Sequence, residues 1–246
     1  MIDNLVNRES TRGNPETAPD LNDVAANEVP APAKRRRMSV EDRERYIVDG
    51  AITFFSEHGF DAQMRELATA IGVTHTLVYH YFPTKQALID RVYLEVFVGR
   101  WKPEWLDLLS SRNLSVEEKL IRFYVDYSRT VLVREFVRIL IFSGLTDRSI
   151  TDRFFQMLGD ELFPRIIRET RSHRKCKSRS KTTVREHELL MGLHGGIFYG
   201  GLRRFVYGQA MHSDSPAMDD ETIIADRVRS YLQASLELEP RASEDT

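Results

Sequence analysis

Side chains able to meet nucleic acid gather between Thr74 and Lys85. Thr74, His75, Thr76, Tyr79 and His80 fall in the run THTLVYHYF, with Pro83-Thr84-Lys85 directly after it. Hydroxyl, imidazole and phenol groups can hydrogen-bond to base edges and phosphates. A lysine at a helix start stands beside free backbone N–H groups and the positive end of the helix dipole, which together make a ready phosphate site. A cationic run, Lys34-Arg35-Arg36-Arg37, comes earlier in the chain. Such a run is either a solvated charge cluster at a domain edge or a flexible arm laid on phosphate or in the minor groove. Its position favours the arm.

Other chemistry finds little support. His187 and His194 are too far apart to share an ion, because seven residues of helix separate them by about 10 Å; no metal site is expected. Cys176 is the lone cysteine, which excludes an intrachain disulfide and a cysteine-based zinc site and suits a reducing compartment. Its cationic neighbours favour the thiolate, but no redox role is assigned to it. No nucleophile–base pairing, carboxylate cluster or phosphate loop stands out. An enzyme or a lipid carrier on a helical scaffold is therefore disfavoured, and no cofactor is expected. The net charge of −2 and pI near 6.4 give no global sign of nucleic-acid binding, but binding depends on where charge sits, not on its sum.

The elements that must position these groups read as helices. Met64, Leu67, Ala68 and Ile71 recur at helical spacing, Gly72 suits a left-handed helix end, and Thr74 can cap a helix running into Leu77, Val78, Tyr79 and Phe82. Helix, glycine turn and helix within about twenty residues is the sequence form of a helix-turn-helix. Before it, Ser39 can cap a helix whose face is Ile47, Ala51, Phe54 and Phe55, closed by Gly59 in a left-handed cap with Phe60 folding back. After it, Thr84 can cap a helix running through Val92 and Val96 towards Arg100. Further helical patterns cover 104–111, 116–134, 136–145, 150–171, 184–209 and 220–238. The basic run at 171–181 reads as a mobile, solvated loop. No alternating strand and no repeat is found, so the fold class is all-α. The expected organisation is a disordered tail at 1–38 carrying the arm, a three-helix helix-turn-helix domain at 39–96, a helical domain at 97–238 and a second disordered tail at 239–246. No apolar run is long enough to span a bilayer. The start, MIDNLVNRES, lacks the pattern of a signal peptide, so the expected compartment is the cytoplasm, without membrane association.

The run FFSEHGFDAQMRELATAIGVTHTLVYHYFPTKQALIDRV resembles the N-terminal domain of TetR-family transcriptional regulators over roughly Arg43 to Val96. That resemblance implies a homodimer on a double-stranded, palindromic DNA operator, with a C-terminal domain that dimerises and binds a small-molecule effector. Repression is the family's usual outcome. By position, Tyr79 corresponds to a phosphate-contacting tyrosine, His80 to a neighbouring base or backbone contact and Lys85 to a lysine holding the DNA backbone. His75 and Thr76 match the front of the recognition helix. Two positions depart from the pattern: Gln63 replaces a capping threonine, and Leu77 stands where a small residue is usual, either to meet a thymine methyl or to turn into the core. A DNA-bound adaptor controlled by a protein partner would use the same head.

In the C-terminal domain the aromatic residues read first as core. Some could instead line an apolar effector pocket, for which Trp105, Phe123, Tyr127 and Phe142, with Arg138 and His194, are the candidates. The stretch LLMGLHGGIFYGG places five glycines in one helix, each costing about 1 kcal/mol against alanine. Close approach of another helix would offset that, and Gly192, Gly196 and Gly200 are assigned to a dimer interface. A kinked helix beside the pocket is the other reading.

Overall fold

Side-chain caps decide where the helices begin. Ser39 Oγ accepts from the Asp42 N–H at 3.0 Å and opens α1, Val40–His58. Thr74 Oγ1 accepts from Leu77 N–H and opens α3, His75–Tyr81. Thr84 Oγ1 accepts from Ala87 N–H and opens α4, Lys85–Tyr93. Each bond satisfies one of the orphan donors of a first turn. Gln63 precedes α2, Met64–Ala70, and its N–H donates to Glu66 Oε2 at 2.8 Å, so the acid three residues on supports the start that a threonine would otherwise cap.

The computed structural model describes residues 38–176, 181–209 and 220–238, and among these every regular element is helical. The arm residues Arg35, Arg36 and Arg37, all but Met38 of the tail expected at 1–38, and the tail expected at 239–246 lie outside the described residues. After α4 come α5 (Glu104–Ser110), α6 (Val116–Thr130), α7 (Arg134–Leu145), α8 (Ser149–Met157), α9 (Phe163–His173), α10 (Val184–Phe205) and α11 (Asp220–Ser235). Among the described residues no helix is long and apolar enough to cross a membrane.

Two π-helical turns interrupt what the periodicity reads as continuous helix. One, Leu94–Val98, extends α4 and ends with the Gly99 N–H on the Leu94 carbonyl. The other, Leu158–Leu162, joins α8 to α9, where a single helix over 150–171 was expected. Pro164 explains it: proline has no N–H for the Asp160 carbonyl and its ring crowds that carbonyl, so the ladder reroutes through a wider turn. The basic run also differs from expectation. Its first part is not a solvated loop, because α9 continues to His173 and the buried Glu186 carboxylate accepts from both Arg171 and Arg174.

The core is continuous from head to body. Ile47, Val48, Ala51, Phe54 and Phe55 of α1 are buried against α2, α4 and α7. In the body, α6 packs on α5, α9, α10 and α11, and α7 packs on α8 and α10. Gly59 ends α1 with φ +74° and ψ −174°, which is not the left-handed cap expected but a region essentially reserved for glycine. A Cβ there would also stand 2.9 Å from the Phe142 ring. Gly72 has φ +70° and open space beside it, so only its backbone demands glycine. Gly59→Ala should therefore destabilise more than Gly72→Ala, by about 2–3 against about 1 kcal/mol. Urea midpoints at unchanged slope measure the difference; equal shifts would remove the Phe142 contact from the explanation.

Candidate nucleic-acid interface

The turn between α2 and α3 sets the pose of the reading helix. The Gly72 N–H bonds the Thr69 carbonyl and the Val73 N–H bonds the Ala68 carbonyl, the paired closure of a Schellman end. Two residues of α1 hold this turn from behind. Tyr46 Oη donates to the Ile71 carbonyl at 2.7 Å, and Gly50 lets Ile71 approach until a Cβ at 50 would lie 2.5 Å from Ile71 Cγ2. Sequence reasoning missed both. Their signal, a tyrosine and a glycine four apart on one helix face, is too common to single out.

Val78 and Phe82 are buried and anchor α3. Thr74, Thr76, Tyr79 and His80 are exposed, whereas His75 and Leu77 are half-buried. His75 and Tyr79, one turn apart, meet edge to face with centroids 4.6 Å apart, which stiffens the exposed phenol. Thr74 Oγ1 is already an acceptor for its own helix, yet its O–H remains free to donate outward to a phosphate oxygen. These groups form one solvent-facing surface on α3.

Lys85 is more confined than a surface phosphate ligand. Its Nζ donates to the Phe60 carbonyl and, at 2.8 Å, to the Ala62 carbonyl, clamping the loop between α1 and α2 to the start of α4. One of its three N–H donors stays available.

The six effector candidates separate into two groups. Trp105, Phe123, Tyr127 and His194 pack together in the core, with ring centroids 5.6 Å apart for Trp105–Phe123 and 5.4 Å for Tyr127–His194. Tyr127 Oη lies 3.5 Å from His194 Nε2, and Asp126 accepts from Trp105 Nε1 at 2.8 Å. Burial pushes the phenols of Tyr124 and Tyr127 up and the His194 imidazole down to about 4. Arg138 and Phe142 lie elsewhere, at the joint between head and body. Arg138 stacks on Phe142, donates through Nε to the Ser56 carbonyl of α1 and through Nη1 to the Phe205 carbonyl at 3.4 Å.

The glycines of α10 divide as well. Gly192 is exposed, and a Cβ on it would meet nothing within 4 Å. Gly196 lies under the Arg227 guanidinium of the same chain, 2.6 Å from a built Cβ, and Gly200 lines a cleft within the chain.

Residues 47–92 match the profile described as bacterial regulatory proteins, tetR family. An uncharacterized HTH-type transcriptional regulator of Mycobacterium tuberculosis is 31% identical over 87 residues, which is 35% of this chain and 37% of that protein, so the match spans little more than a third of that relative. The HTH-type transcriptional regulator SrpR of Pseudomonas putida is 25% identical over 70% of this chain and 80% of its own length. In fold, the chain is similar to a TetR-like transcriptional regulator from Rhodococcus sp. RHA1, with a TM-score of 0.60 and 18% identity over 82% of this chain and all of that one.

The buried imidazole makes stability depend on pH. His194 takes up a proton near 6.5 when unfolded but near 4 when folded, so the unfolded state binds the proton first as pH falls. Its contribution is whole above about 6.5, declines to about 4 and is level below, amounting to roughly 3 kcal/mol. Burial pushes the Glu186 carboxyl up, but hydrogen bonds from Arg171 and Thr183 and both arginine charges outweigh it and hold the group at about 2, so its contribution is lost at lower pH. His194→Gln should flatten the urea-midpoint profile between pH 6.5 and 4 relative to the unmodified protein. A parallel profile would show that this imidazole is not the group that titrates.

Proposed function

We propose that this chain, which belongs to the tetR family of bacterial regulatory proteins, is a cytoplasmic DNA-binding repressor that acts as a homodimer and leaves its operator when a small molecule binds. Residues 39–96 are its reading head and 97–238 its effector and dimerisation domain. The observation that carries the reading is the solvent-facing surface of α3, where Thr74, Thr76, Tyr79 and His80 stand exposed on a helix whose pose is held by the Gly72 turn. On this reading Tyr79, the remaining N–H of Lys85 and the Arg35–Arg37 arm contact phosphate and supply most of the affinity. Thr74, His75 and Thr76 at the start of α3 meet base edges, with His80 beside them. Two heads must then lie one turn of DNA apart, about 34 Å.

The dimer face is assigned to the exposed stripe of α10. Glu188, Gly192, Gly195 and Tyr199 share one side of that helix, and an exposed glycine pair that meets no side chain of its own subunit permits a second backbone to approach. Gly196 and Gly200 stand at the edge of this stripe rather than along its centre.

Fluorescence anisotropy with DNA from directly upstream of the coding region, in a salt series against a scrambled competitor, tests the head. Specific binding should fall steeply with salt, and Tyr79→Phe should weaken it about tenfold or more, the worth of one hydrogen bond to a charged phosphate. Binding no tighter than to scrambled DNA, followed by failure in a genome-wide operator selection, would sink the assignment. Gly192→Leu should leave the helical circular dichroism spectrum unchanged, because a Cβ at 192 meets nothing within 4 Å in its own subunit, yet shift the protein towards monomer in light scattering. An unaltered dimer would move the interface off this stripe.

A further inference from the structure

α6, α10 and α11 leave a cleft of about 180 Å³ between them, more than the roughly 150 Å³ cavity that admits benzene. Its lining is apolar at Leu132, Ile197, Phe205, Ile223 and Ile224, and the backbone is bare at Gly200. Three arginines, Arg129, Arg204 and Arg227, also line it. Two of them are committed to α11's first turn: Arg204 to Asp220 at 3.1 Å and Arg129 to Glu221 at 3.6 Å. Arg227 has no hydrogen-bonding or ionic partner among the described residues. Its guanidinium lies across Gly196, where a Cβ would stand 2.6 Å from Nη1, so the absence of a side chain at 196 is what lets it sit there.

An apolar cavity with one uncommitted guanidinium is matched by a molecule with an apolar body and one anionic end. The planar fork of arginine pairs best with a carboxylate or sulfonate, two N–H donors to two oxygens. Among the described lining residues there is no asparagine, glutamine or free carboxylate to recognise an uncharged or cationic ligand, since Asp220 already faces Arg204.

We propose that this cleft is the effector site, and that it takes a small organic anion with a single-ring or short acyl body, its charge on Arg227. That it regulates anything rests on the DNA-binding reading above. The route to the head is short. Phe205, in the cleft wall, gives its carbonyl to Arg138, whose Nε holds the Ser56 carbonyl of α1. Gly201, one residue past the bare backbone at 200, touches Val137 of α7, with a built Cβ 3.1 Å from Cγ2. A ligand that presses on the last turns of α10 therefore presses on α7 and α1.

Calorimetric titration of the full chain with phenylacetate, hexanoate and benzenesulfonate, against neutral phenylacetamide, tests the site. At least one anion should saturate with one site per chain, and phenylacetamide should bind weaker than phenylacetate by about tenfold or more, as loss of a charge-assisted pair requires. Arg227→Gln should lower affinity for the anion by a similar factor and leave the amide unchanged. Gly200→Leu, which adds a side chain to the cleft wall where the backbone is bare, should abolish both, with circular dichroism confirming the fold of each variant. Saturation by no anion below about 10 mM, equal binding of acid and amide, or unchanged binding by a folded Arg227→Gln variant would overturn the site. Operator anisotropy is followed separately. If the protein never binds specific DNA, the regulatory reading fails while the anion site stands on calorimetry. If DNA and anion both bind but the anion leaves the operator in place, the route through Arg138 is overturned.

Discussion

Arg138 joins helix ends that would otherwise have unmet demands. The last turn of any α-helix leaves carbonyls without intrahelical partners, and these carry the negative end of the dipole. Ser56 stands in the last turn of α1 and Phe205 at the end of α10, and the one guanidinium of Arg138 in α7 answers both. Phe142, a turn further along α7, lies under that guanidinium and against Gly59. Remove the cation and two helix termini from different parts of the molecule lose a donor together. The orientation of the head on the body thus depends on a contact that is polar, directional and small, not on a broad apolar surface alone.

A second clasp works on the other side of the head. Arg153 of α8 lies over the Tyr93 ring at 4.0 Å and pairs with Asp90 of α4 at 2.7 Å. Asp90 and Arg153 are each about half exposed, so the ion pair itself adds at most about 1 kcal/mol; the stacked guanidinium supplies geometry. Between the two clasps the head is gripped through α1 and through α4. A change in the body that moves α7 relative to α8 would rotate the head, whereas one that moves both together would carry it along rigidly. On the proposed effector mechanism, these clasps are the route by which a shift near α10 would reach α3.

Much of the head is legible in the sequence because its determinants are local. Ser39, Thr74 and Thr84 each cap a helix through an N–H three residues away, and Gly72 closes its turn with bonds spanning three to five residues. Type and spacing alone suffice for such features. Lys85 marks where legibility ends. Its place at the start of α4 could be read, but its carbonyl partners lie 23 and 25 residues back, so the clamp on the loop could not. From sequence Arg138 is legible only as a polar residue for a pocket, since its partners are 67 and 82 residues distant. The four aromatic candidates illustrate a further limit. Trp105, Phe123, Tyr127 and His194 have the composition of a pocket wall and of a core alike, and only packing distinguishes a lining from a filling.

The glycines of α10 bring these points together. A helix with five glycines gives up several kcal/mol of intrinsic propensity, and the sequence favours one cause, a partner helix, over a kink beside the pocket. In three dimensions the glycines face different ways. Gly192 and Gly195 look outward with open space, Gly196 lies beneath Arg227 and Gly201 beneath Val137. The absences of a side chain therefore differ in effect: Gly196 admits a cation, Gly201 admits the helix α7, and Gly192 and Gly195 leave open the stripe proposed for a second subunit. Placing all three on one helix means that whatever displaces the cation or widens the cleft acts on the same rod that carries the proposed dimer stripe and ends on Arg138. Helical propensity is surrendered where contact between subsystems is needed, and the cost is offset by the burial and pairing that the missing side chains allow.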